Sequence, residues 1–151
     1  MQRKIVGYHK DAEDDWVAEL DCHHLQHVRH KPPFFNREWV ETEDGRNSML
    51  GSELECVRCD RLELPVGISE YKRTPEFTEA TIPAGLLKEH NTKPGVWGLI
   101  HVLDGRLLYT LKDGREFMLS PGVIGIVVPE MLHHVRADGN VRFCVAFHRK
   151  N

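Results

Sequence analysis

The sequence predicts a mainly β chain in two parts, a small α+β module over residues 1–63 and an antiparallel β barrel or sandwich over residues 68–151. Three of the four cysteines fall in the first part, in which long apolar runs are few. The second part consists of short apolar runs separated by turn dipeptides, which is typical of small all-β domains. A short Pro/Gly segment at residues 64–67 marks the boundary between the two parts.

Composition indicates an ordinary folded protein and excludes several classes of function. Of the 151 residues, 40% are hydrophobic and 28% are charged, so disorder is not expected. No apolar run approaches the ~18 residues of a membrane span. A net charge of −3 argues against a general nucleic-acid binder. Residues 1–5 show no apolar signal-peptide region, so we expect a cytoplasmic protein with reduced cysteines.

The first part is predicted to begin with a β-hairpin. Residues 4–8 and 16–20 have strand character and flank a polar turn at residues 11–15. A Pro-Pro pair at residues 32–33 excludes a helix and favours an extended segment after it. Residues 42–50 fit a short helix that stops at a following glycine. A piece of ~60 residues with so few apolar side chains usually needs a staple.

The second part is predicted to be built from hairpins. Asp-Gly is a strong hairpin signal because both central positions of a type I′ turn need positive φ. The pair occurs at residues 104–105, 113–114 and 138–139, and a Pro-Gly pair occurs at residues 121–122. The strands between these turns should form a core that folds without the first part. We also expect a homodimer through an edge strand.

The first part carries the components of a structural zinc site, which makes it zinc-ribbon-like. Cys56 and Cys59 form a C-x2-C pair that directs two thiolates to one point, and a zinc site needs two more nitrogen or sulfur ligands. Cys22 and His24 can supply them, because residues two apart on an extended strand share a face. Three other histidines remain alternatives as the nitrogen ligand: His23, His27 and His30. Free thiols are the alternative to zinc, and a redox role is disfavoured because no thioredoxin-like βαβ pattern surrounds the pair.

Strand alternation sorts the histidines of the second part. His133 shares a face with Val135, so it should point inward, whereas His134 should face water. His101 lies in a run that is apolar on both faces, so periodicity leaves its direction open. His90 precedes a Gly/Pro loop, where a histidine is well placed to meet a ligand.

Residues 3–62 resemble a small uncharacterised bacterial family. The shared pattern is W-V-A-E-L-x-C-G-H-x-Q-H-V-R-H-x-P-P followed by C-x2-C, and residues 16–33 carry its first part here. His23 departs from this pattern, since the family usually has glycine there. The family has no settled activity, so the resemblance implies a fold unit and little chemistry.

Residues 72–149 resemble a small cupin-like domain that occurs alone and at the N-terminus of some tellurite-resistance methyltransferases. Three motifs carry the resemblance, H-N-T-K-x-G-x-W-G from His90, V-L-x-G from Val102 and P-E-x-x-H-x-V from Pro129. The resemblance implies a double-stranded β-helix and maps His90 and His133 onto the family's two recurring histidines. The methyl transfer itself is not expected here, because the chain lacks the Gly-rich strand–helix turn of a nucleotide-binding domain.

A second divalent metal in the barrel is an open question at this stage. Ordinary metal cupins have an H-x-H pair, a glutamate and a later histidine, but this chain lacks the first pair and places Trp97 near the glutamate position. His90 and His133 fall short of a 2-His-1-carboxylate triad. Candidates to complete it are Glu89, Glu116, His101 or water. The alternative is a metal-free barrel with His90 and His133 hydrogen-bonded around a small apolar pocket. The ligand-binding candidates are His90, His133 and Trp97.

The leading hypothesis is a cytoplasmic two-domain metalloprotein. Its zinc-stapled module precedes a cupin-like barrel that binds a small polar ligand or an oxyanion, and the resemblance implies a context of stress or tellurite resistance. The alternative is a metal-dependent cupin enzyme of dioxygenase, isomerase or hydrolase type, with the metal on His90 and His133. A third possibility is an adaptor whose zinc module docks a partner protein. The sequence assigns no catalytic residue.

Overall fold

A computed structural model describes all 151 residues. The chain forms two compact units, Met1–Val66 and Gly67–Asn151. Both units are built mainly from antiparallel strands, so the predicted mainly β class is confirmed. None of the helices combines the length and the apolar character that crossing a membrane requires.

The first unit is a four-stranded antiparallel sheet. Its strands are β1 (Gln2–Lys10), β2 (Trp16–Leu20), β3 (Leu25–His27) and β4 (Glu53–Glu55). The predicted hairpin is confirmed as β1 and β2, and the strand order is β3-β2-β1-β4. Few large apolar side chains are buried in this unit, and these are Ile5, Val17, Leu20, Val28 and Val40. The core is therefore small, as the shortage of apolar runs predicts.

Two short helices complete the first unit. Helix α1 (Glu43–Ser48) lies inside the predicted residues 42–50, and it begins after Thr42 because the Thr42 hydroxyl accepts a hydrogen bond from the Gly45 N–H at 3.0 Å. A 3-10 turn, Glu38–Glu41, precedes it. Helix α2 (Val57–Asp60) is a single turn that begins directly after Cys56.

The segment around the Pro-Pro pair is a turn, so the predicted extended conformation is wrong. The N–H groups of Phe34 and Phe35 both donate to the carbonyl of Lys31, and Lys31 also pairs with Phe35 as an isolated bridge. Proline fixes φ near −65°, a value that turns accept as readily as extended backbone does. The turn leaves the Phe34 side chain 86% exposed.

The second unit is an antiparallel sheet organised by two long strands. In chain order its strands are β5 (Ile68–Arg73), β6 (Phe77–Thr78), β7 (Trp97–Leu111), β8 (Glu116–Leu119), β9 (Gly125–Val127) and β10 (His133–Lys150). Strand β10 pairs with β5, β6 and β7, and β7 also pairs with β8 and β9. A 3-10 turn, Ala84–Leu87, lies between β6 and β7. The buried core is larger than that of the first unit and includes Trp97, Leu107, Tyr109, Leu119 and Phe143.

Two of the three Asp-Gly hairpins predicted for the second unit are wrong. Residues 104–105 lie inside β7, where they pair with Arg142 and Val141, and residues 138–139 lie inside β10, within the register shift between Ala137 and Val141. Gly105 has a φ of +77°, a left-handed conformation that glycine adopts both in G1-type β-bulges and in type I′ hairpin turns. The third pair does form the turn between β7 and β8, where the Leu111 N–H donates to the carbonyl of Arg115. The Asp-Gly dipeptide thus occurs both in a β-bulge and in a hairpin turn, because glycine adopts positive φ in each.

Candidate metal centre and ligand cavity

Four side chains of the first unit converge on one buried point. They are Cys22, His24, Cys56 and Cys59, and their potential ligand atoms all lie within 4.8 Å of one another. Each of these residues is at most 4% exposed. The four residues that the spacing of the sequence singles out are therefore brought together.

The spacing of the donor atoms fits a tetrahedral zinc ion. With Zn–S bonds of about 2.3 Å and Zn–N bonds of about 2.0 Å, a tetrahedron requires sulfurs about 3.8 Å apart and nitrogen–sulfur distances of about 3.5 Å. The Sγ atoms of Cys22 and Cys56 are 3.9 Å apart. His24 Nδ1 lies 3.4 Å from Cys22 Sγ, 3.3 Å from Cys56 Sγ and 3.6 Å from Cys59 Sγ. A metal ion of this size can be held without rearrangement of the ligands.

Tight local turns, rather than an extended strand, place the ligands. Cys22 and His24 lie in the turn between β2 and β3, where the Leu20 N–H donates to the carbonyl of His24, so the predicted strand geometry of this pair is wrong. Between them, His23 has a φ of +73°, a conformation that glycine adopts most easily. This backbone demand suits the glycine that stands at this position in the pattern the sequence resembles. Cys56 precedes α2 and Cys59 lies within it, which turns both thiols to the same side.

The hydrogen bond on the far side of His24 selects the nitrogen that faces the sulfurs. Its Nε2 lies 2.8 Å from the carbonyl oxygen of Glu63, and a carbonyl can only accept. Nε2 therefore carries the hydrogen and Nδ1 is directed at the thiols, the arrangement typical of metal-bound histidines. The three alternative histidines lie outside the cluster. His27 contacts Asp11 at 2.8 Å, and His30 Nδ1 accepts from the Arg37 N–H at 2.9 Å.

The electrostatics of the cluster favour a bound cation. The hydrogen bond from Cys22 lowers the pKa of the Cys56 thiol, and the same contact raises the pKa of Cys22. Burial alone lowers the pKa of His24, but the contacts with Cys56 and Cys59 outweigh it and raise this pKa to about 9. Thiolate charge therefore concentrates at the centre of the cluster, where a metal ion would neutralise it.

In the second unit, the backbone pairs the two histidines of the candidate site. His90 and His133 form an isolated antiparallel bridge, in which each N–H donates to the other's carbonyl at 2.9 Å. Their rings come to a centroid separation of 4.1 Å. His133 is 3% exposed, so its predicted inward direction is confirmed, and His90 is half-buried. Burial is the main cause that lowers the pKa of His133 to about 4.

Each of these two histidines uses Nδ1 to hydrogen-bond a backbone carbonyl two residues earlier. His90 Nδ1 lies 3.1 Å from the carbonyl oxygen of Lys88, and His133 Nδ1 lies 2.8 Å from that of Met131. Since the carbonyls accept, both Nδ1 atoms carry hydrogen in the neutral rings. Both Nε2 atoms are then left with a lone pair that can accept a hydrogen bond or bind a metal.

The two histidines line a cavity of about 430 Å³ in the second unit. Its walls are mainly apolar and come from four of the strands and from the segment before β7, with Phe77, Ile100, Val127, Val135, Phe143, Val145 and Phe147 among the lining residues. The polar lining comes from Tyr71, Lys72, Thr74, Asn91, Thr92 and Lys93. No aspartate or glutamate lines the cavity. A pocket of this size and character is typical of small-molecule sites.

Other candidates from the sequence lie elsewhere in the second unit. Trp97 is fully buried and does not line the cavity, because Ile100 and not Trp97 is on the cavity face of β7. His101 is also outside the lining, and burial and the Arg73 guanidinium lower its pKa. Glu89 is paired with Lys112 at 3.7 Å. Glu116 is exposed on β8, so none of these candidates completes a metal triad in the cavity.

The polar cavity residues other than histidine were missed at the level of sequence. Lys72 lies on β5, whereas Asn91 and Lys93 lie in the segment before β7. Only the topology brings these segments to one cavity. The H-N-T-K motif indicates some of these residues, because three polar side chains directly follow His90 in the sequence.

The fold and the cavity define the second unit as a small cupin-like β domain, and comparison with known proteins agrees. Residues 72–145 match the family described as "TehB-like domain". Residues 6–63 match a separate family described as "Protein of unknown function (DUF3565)". Both resemblances drawn from the motifs are thereby confirmed.

Two curated relatives match about half of this chain. The probable S-adenosyl-L-methionine-dependent methyltransferase TehB of Haemophilus influenzae is 36% identical over 73 residues, which cover 44% of this chain and 26% of that protein. The uncharacterised protein YeaR of Escherichia coli K12 is 24% identical over 86 residues, covering 50% of this chain and 72% of YeaR. The chain therefore spans about a quarter of TehB.

Solved structures support the same fold. The crystal structure of TehB from Haemophilus influenzae gives a TM-score of 0.53 at 29% identity, covering 56% of this chain and 32% of that chain. A crystal structure of an Escherichia coli K12 protein gives a TM-score of 0.55 at 22% identity, covering 59% of this chain and 97% of that one. The predicted fold class, a small Cys/His module followed by a cupin-like domain, is confirmed.

Proposed function

We propose that this protein is a two-module metalloprotein whose cupin-like domain binds a small polar ligand in the cavity beside His90 and His133. The first unit holds a structural zinc ion, and the protein acts in stress or tellurite resistance within the reducing cytoplasm. One observation carries the ligand-binding proposal. A pair of histidines with free Nε2 lone pairs lines an otherwise largely apolar cavity of about 430 Å³.

Zinc is the metal that the chemistry of the first cluster supports. Three thiolates and one imidazole are a common ligand set of structural zinc sites, and all four tetrahedral positions are supplied by the protein. A site with no open position has no place for a substrate, so the role of the ion is to hold the fold. No disulfide joins any of the four cysteines, as expected for thiols in a reducing compartment.

The resistance context rests on the TehB-like domain. This chain matches the part of TehB that corresponds to its own second unit, and it carries the DUF3565 module in addition. A domain of this family that occurs beside different partner domains suits a module that binds a ligand, because binding does not require the rest of TehB. Lys72 and Lys93 at the cavity favour a ligand with negative charge.

Fluorescence of 1-anilinonaphthalene-8-sulfonate (ANS) tests the cavity directly. ANS is an apolar anion that brightens when it leaves water, and we expect one saturable site per chain. Val135→Trp adds bulk to the cavity wall and should abolish this signal. Ile124→Trp is the matched control, since Ile124 is 46% exposed and does not line the cavity. Equal ANS binding by both variants and the unchanged protein would refute a ligand-binding cavity.

A further inference from the structure

We propose that the cavity of the second unit selects an apolar organic anion that also carries a hydroxyl group, and that this hydroxyl donates directly to the Nε2 lone pairs of His90 and His133, with no ion between them. This inference rests on the proposed function, that the cavity binds a small ligand, and it names the class of ligand. It treats the histidine pair as a hydrogen-bond acceptor.

The tautomers of the two histidines make them acceptors. Each Nδ1 is committed to a backbone carbonyl, at 3.1 Å for His90 and 2.8 Å for His133, so each Nε2 of the neutral rings keeps a lone pair. Burial is the main cause that lowers the pKa of His133 to about 4, so this ring stays neutral at pH 7 and does not donate from Nε2. A ligand atom that meets this nitrogen must therefore bring its own hydrogen.

The hydroxyl groups of the protein near the pair are already used. Tyr109 directs its ring against His133, with 5.6 Å between the centroids, but its hydroxyl donates to the carbonyl of Ile126 at 2.8 Å. The two threonines of the cavity lining, Thr74 and Thr92, donate to backbone carbonyls at 2.9 and 2.7 Å. These three hydroxyl groups do not serve the histidines, and a ligand hydroxyl fills that role.

The lysines of the lining favour a negative group elsewhere on the ligand. Lys72 is on β5 and pairs with Phe147 near the end of β10, whereas His133 is the first residue of that strand. No aspartate or glutamate lines the cavity to neutralise Lys72 and Lys93. A negative group on the ligand compensates for this charge, and its hydroxyl remains for the histidines.

The walls of the cavity favour an apolar body between these two polar groups. Three apolar lining residues of β10, Val135, Phe143 and Val145, lie in sequence between His133 and Phe147. A volume of about 430 Å³ lies in the range of pockets for small organic molecules. A bare, fully deprotonated oxyanion offers neither a body for these walls nor a hydrogen for the histidines. A phenolic acid offers both, together with the negative charge.

The experiment compares two acids that differ by one hydroxyl group, 4-hydroxyphenylacetate and phenylacetate. Isothermal titration calorimetry measures their affinities for the full chain, in buffer passed over a chelating resin. We expect the hydroxyl compound to bind about fivefold more tightly, the effect of one neutral hydrogen bond. The matched control, 4-methoxyphenylacetate, keeps the oxygen but has no donor, so it should bind no better than phenylacetate. Added Mn²⁺ should leave all three affinities unchanged.

Variants locate the acceptor. His133→Phe and His90→Phe keep an aromatic ring but lack the lone pair, so each should reduce the preference for the hydroxyl compound while phenylacetate still binds. His90→Phe is the safer variant, because this side chain is only half-buried and its backbone pairing is retained. His134→Phe is the control, since His134 is absent from the cavity lining, and it should keep the full preference. Lys72→Met should weaken both acids alike. Thermal melting checks that each variant is folded.

The outcomes separate this inference from the proposed function. Equal binding of the three acids, or a hydroxyl preference that survives in both folded histidine variants, overturns the inference while the cavity remains a ligand site. Binding that requires Mn²⁺ also overturns it. If ANS binds and none of the acids does, the class of ligand is wrong. If neither ANS nor any acid binds, both proposals fail. A preference that the histidine variants reduce and His134→Phe keeps supports the inference.

Discussion

The two units each assemble a polar cluster that includes histidine, but they do so by different means. In the first unit, Cys22 and His24 share one turn and Cys56 and Cys59 share another, so two local motifs supply all four ligands. In the second unit, His90 and His133 are 43 positions apart in sequence and meet through one backbone bridge. We expect the first cluster to stabilise its unit through a bound metal, whereas backbone pairing in the second unit positions its two histidines.

The cores of the two units account for this difference. The first unit buries few large apolar side chains, whereas the second buries a set that includes Trp97, Tyr109 and Phe143. A small domain with a thin core needs another source of stability, and a metal ion provides one. A domain with a sufficient core can use its histidines for binding. The first unit should therefore fail when a ligand is lost, and the second when core packing is lost.

The largest effect is expected for Cys56→Ser. Structural zinc contributes on the order of 10 kcal/mol in small zinc domains, which exceeds the stability that the core of the first unit can supply. The variant should lose its tightly bound zinc, about one ion per chain, and the first unit should unfold. Metal analysis together with amide hydrogen exchange measures both effects.

Cys144→Ser is the control for this variant. Cys144 is also buried, but it lies on β10, outside the cluster, so the zinc content should not change. A fragment of residues 65–151 extends the comparison, since it lacks the cluster entirely and should still melt cooperatively. Full zinc content and unchanged stability in Cys56→Ser would contradict the idea that zinc organises the first unit.

The next largest effect is expected for Leu107→Ala in the second unit. Leu107 is fully buried on β7, and replacement of a buried leucine by alanine costs about 2–5 kcal/mol. Zinc content should be unaffected. Leu103→Ala on the same strand is the control, because Leu103 is 38% exposed and its loss should cost less than about 0.5 kcal/mol. Denaturant unfolding of both variants measures the difference in their free energies of unfolding. Equal losses of stability would show that the core does not decide the stability of this unit.

Local sequence predicted the Cys/His cluster of the first unit better than it predicted the strands of the second unit. A C-x2-C pair has one dominant geometry, so Cys56 and Cys59 could be assigned from spacing alone. An Asp-Gly pair fits several backbone geometries, because G1-type bulges and type I′ hairpin turns both require positive φ. Strand length therefore could not be predicted at residues 104–105 and 138–139. The position of Lys72 at the cavity could not be predicted for another reason. It depends on the pairing of β5 with β10, which the local sequence does not specify.

Gly105→Ala tests the bulge that replaces the predicted hairpin. A Cβ atom at this position would lie 1.9 Å from the carbonyl oxygen of Asn140, on the opposite strand. The strain of positive φ adds about 1–2 kcal/mol, so we expect a total loss of at least about 2 kcal/mol. Gly114→Ala is the matched control, with φ at +98° and nothing within 4 Å of its Cβ. It should show the strain alone, and equal losses in chemical denaturation would argue against close packing at the bulge.

The smallest effect is expected for Thr42→Ala in the first unit. This variant tests how much a single helix-capping hydrogen bond contributes to the stability of that unit. The Thr42 hydroxyl accepts from the Gly45 N–H at 3.0 Å, and loss of such a helix cap costs about 1 kcal/mol. If a metal ion at the cysteine cluster and not α1 holds the unit together, as we propose, the variant should keep its zinc and melt at a slightly lower temperature. Thr42→Ser retains the oxygen and should restore most of the loss. If Thr42→Ala instead released zinc, α1 would be coupled to the cluster, and the first unit would depend on its local hydrogen bonds as well as on its metal.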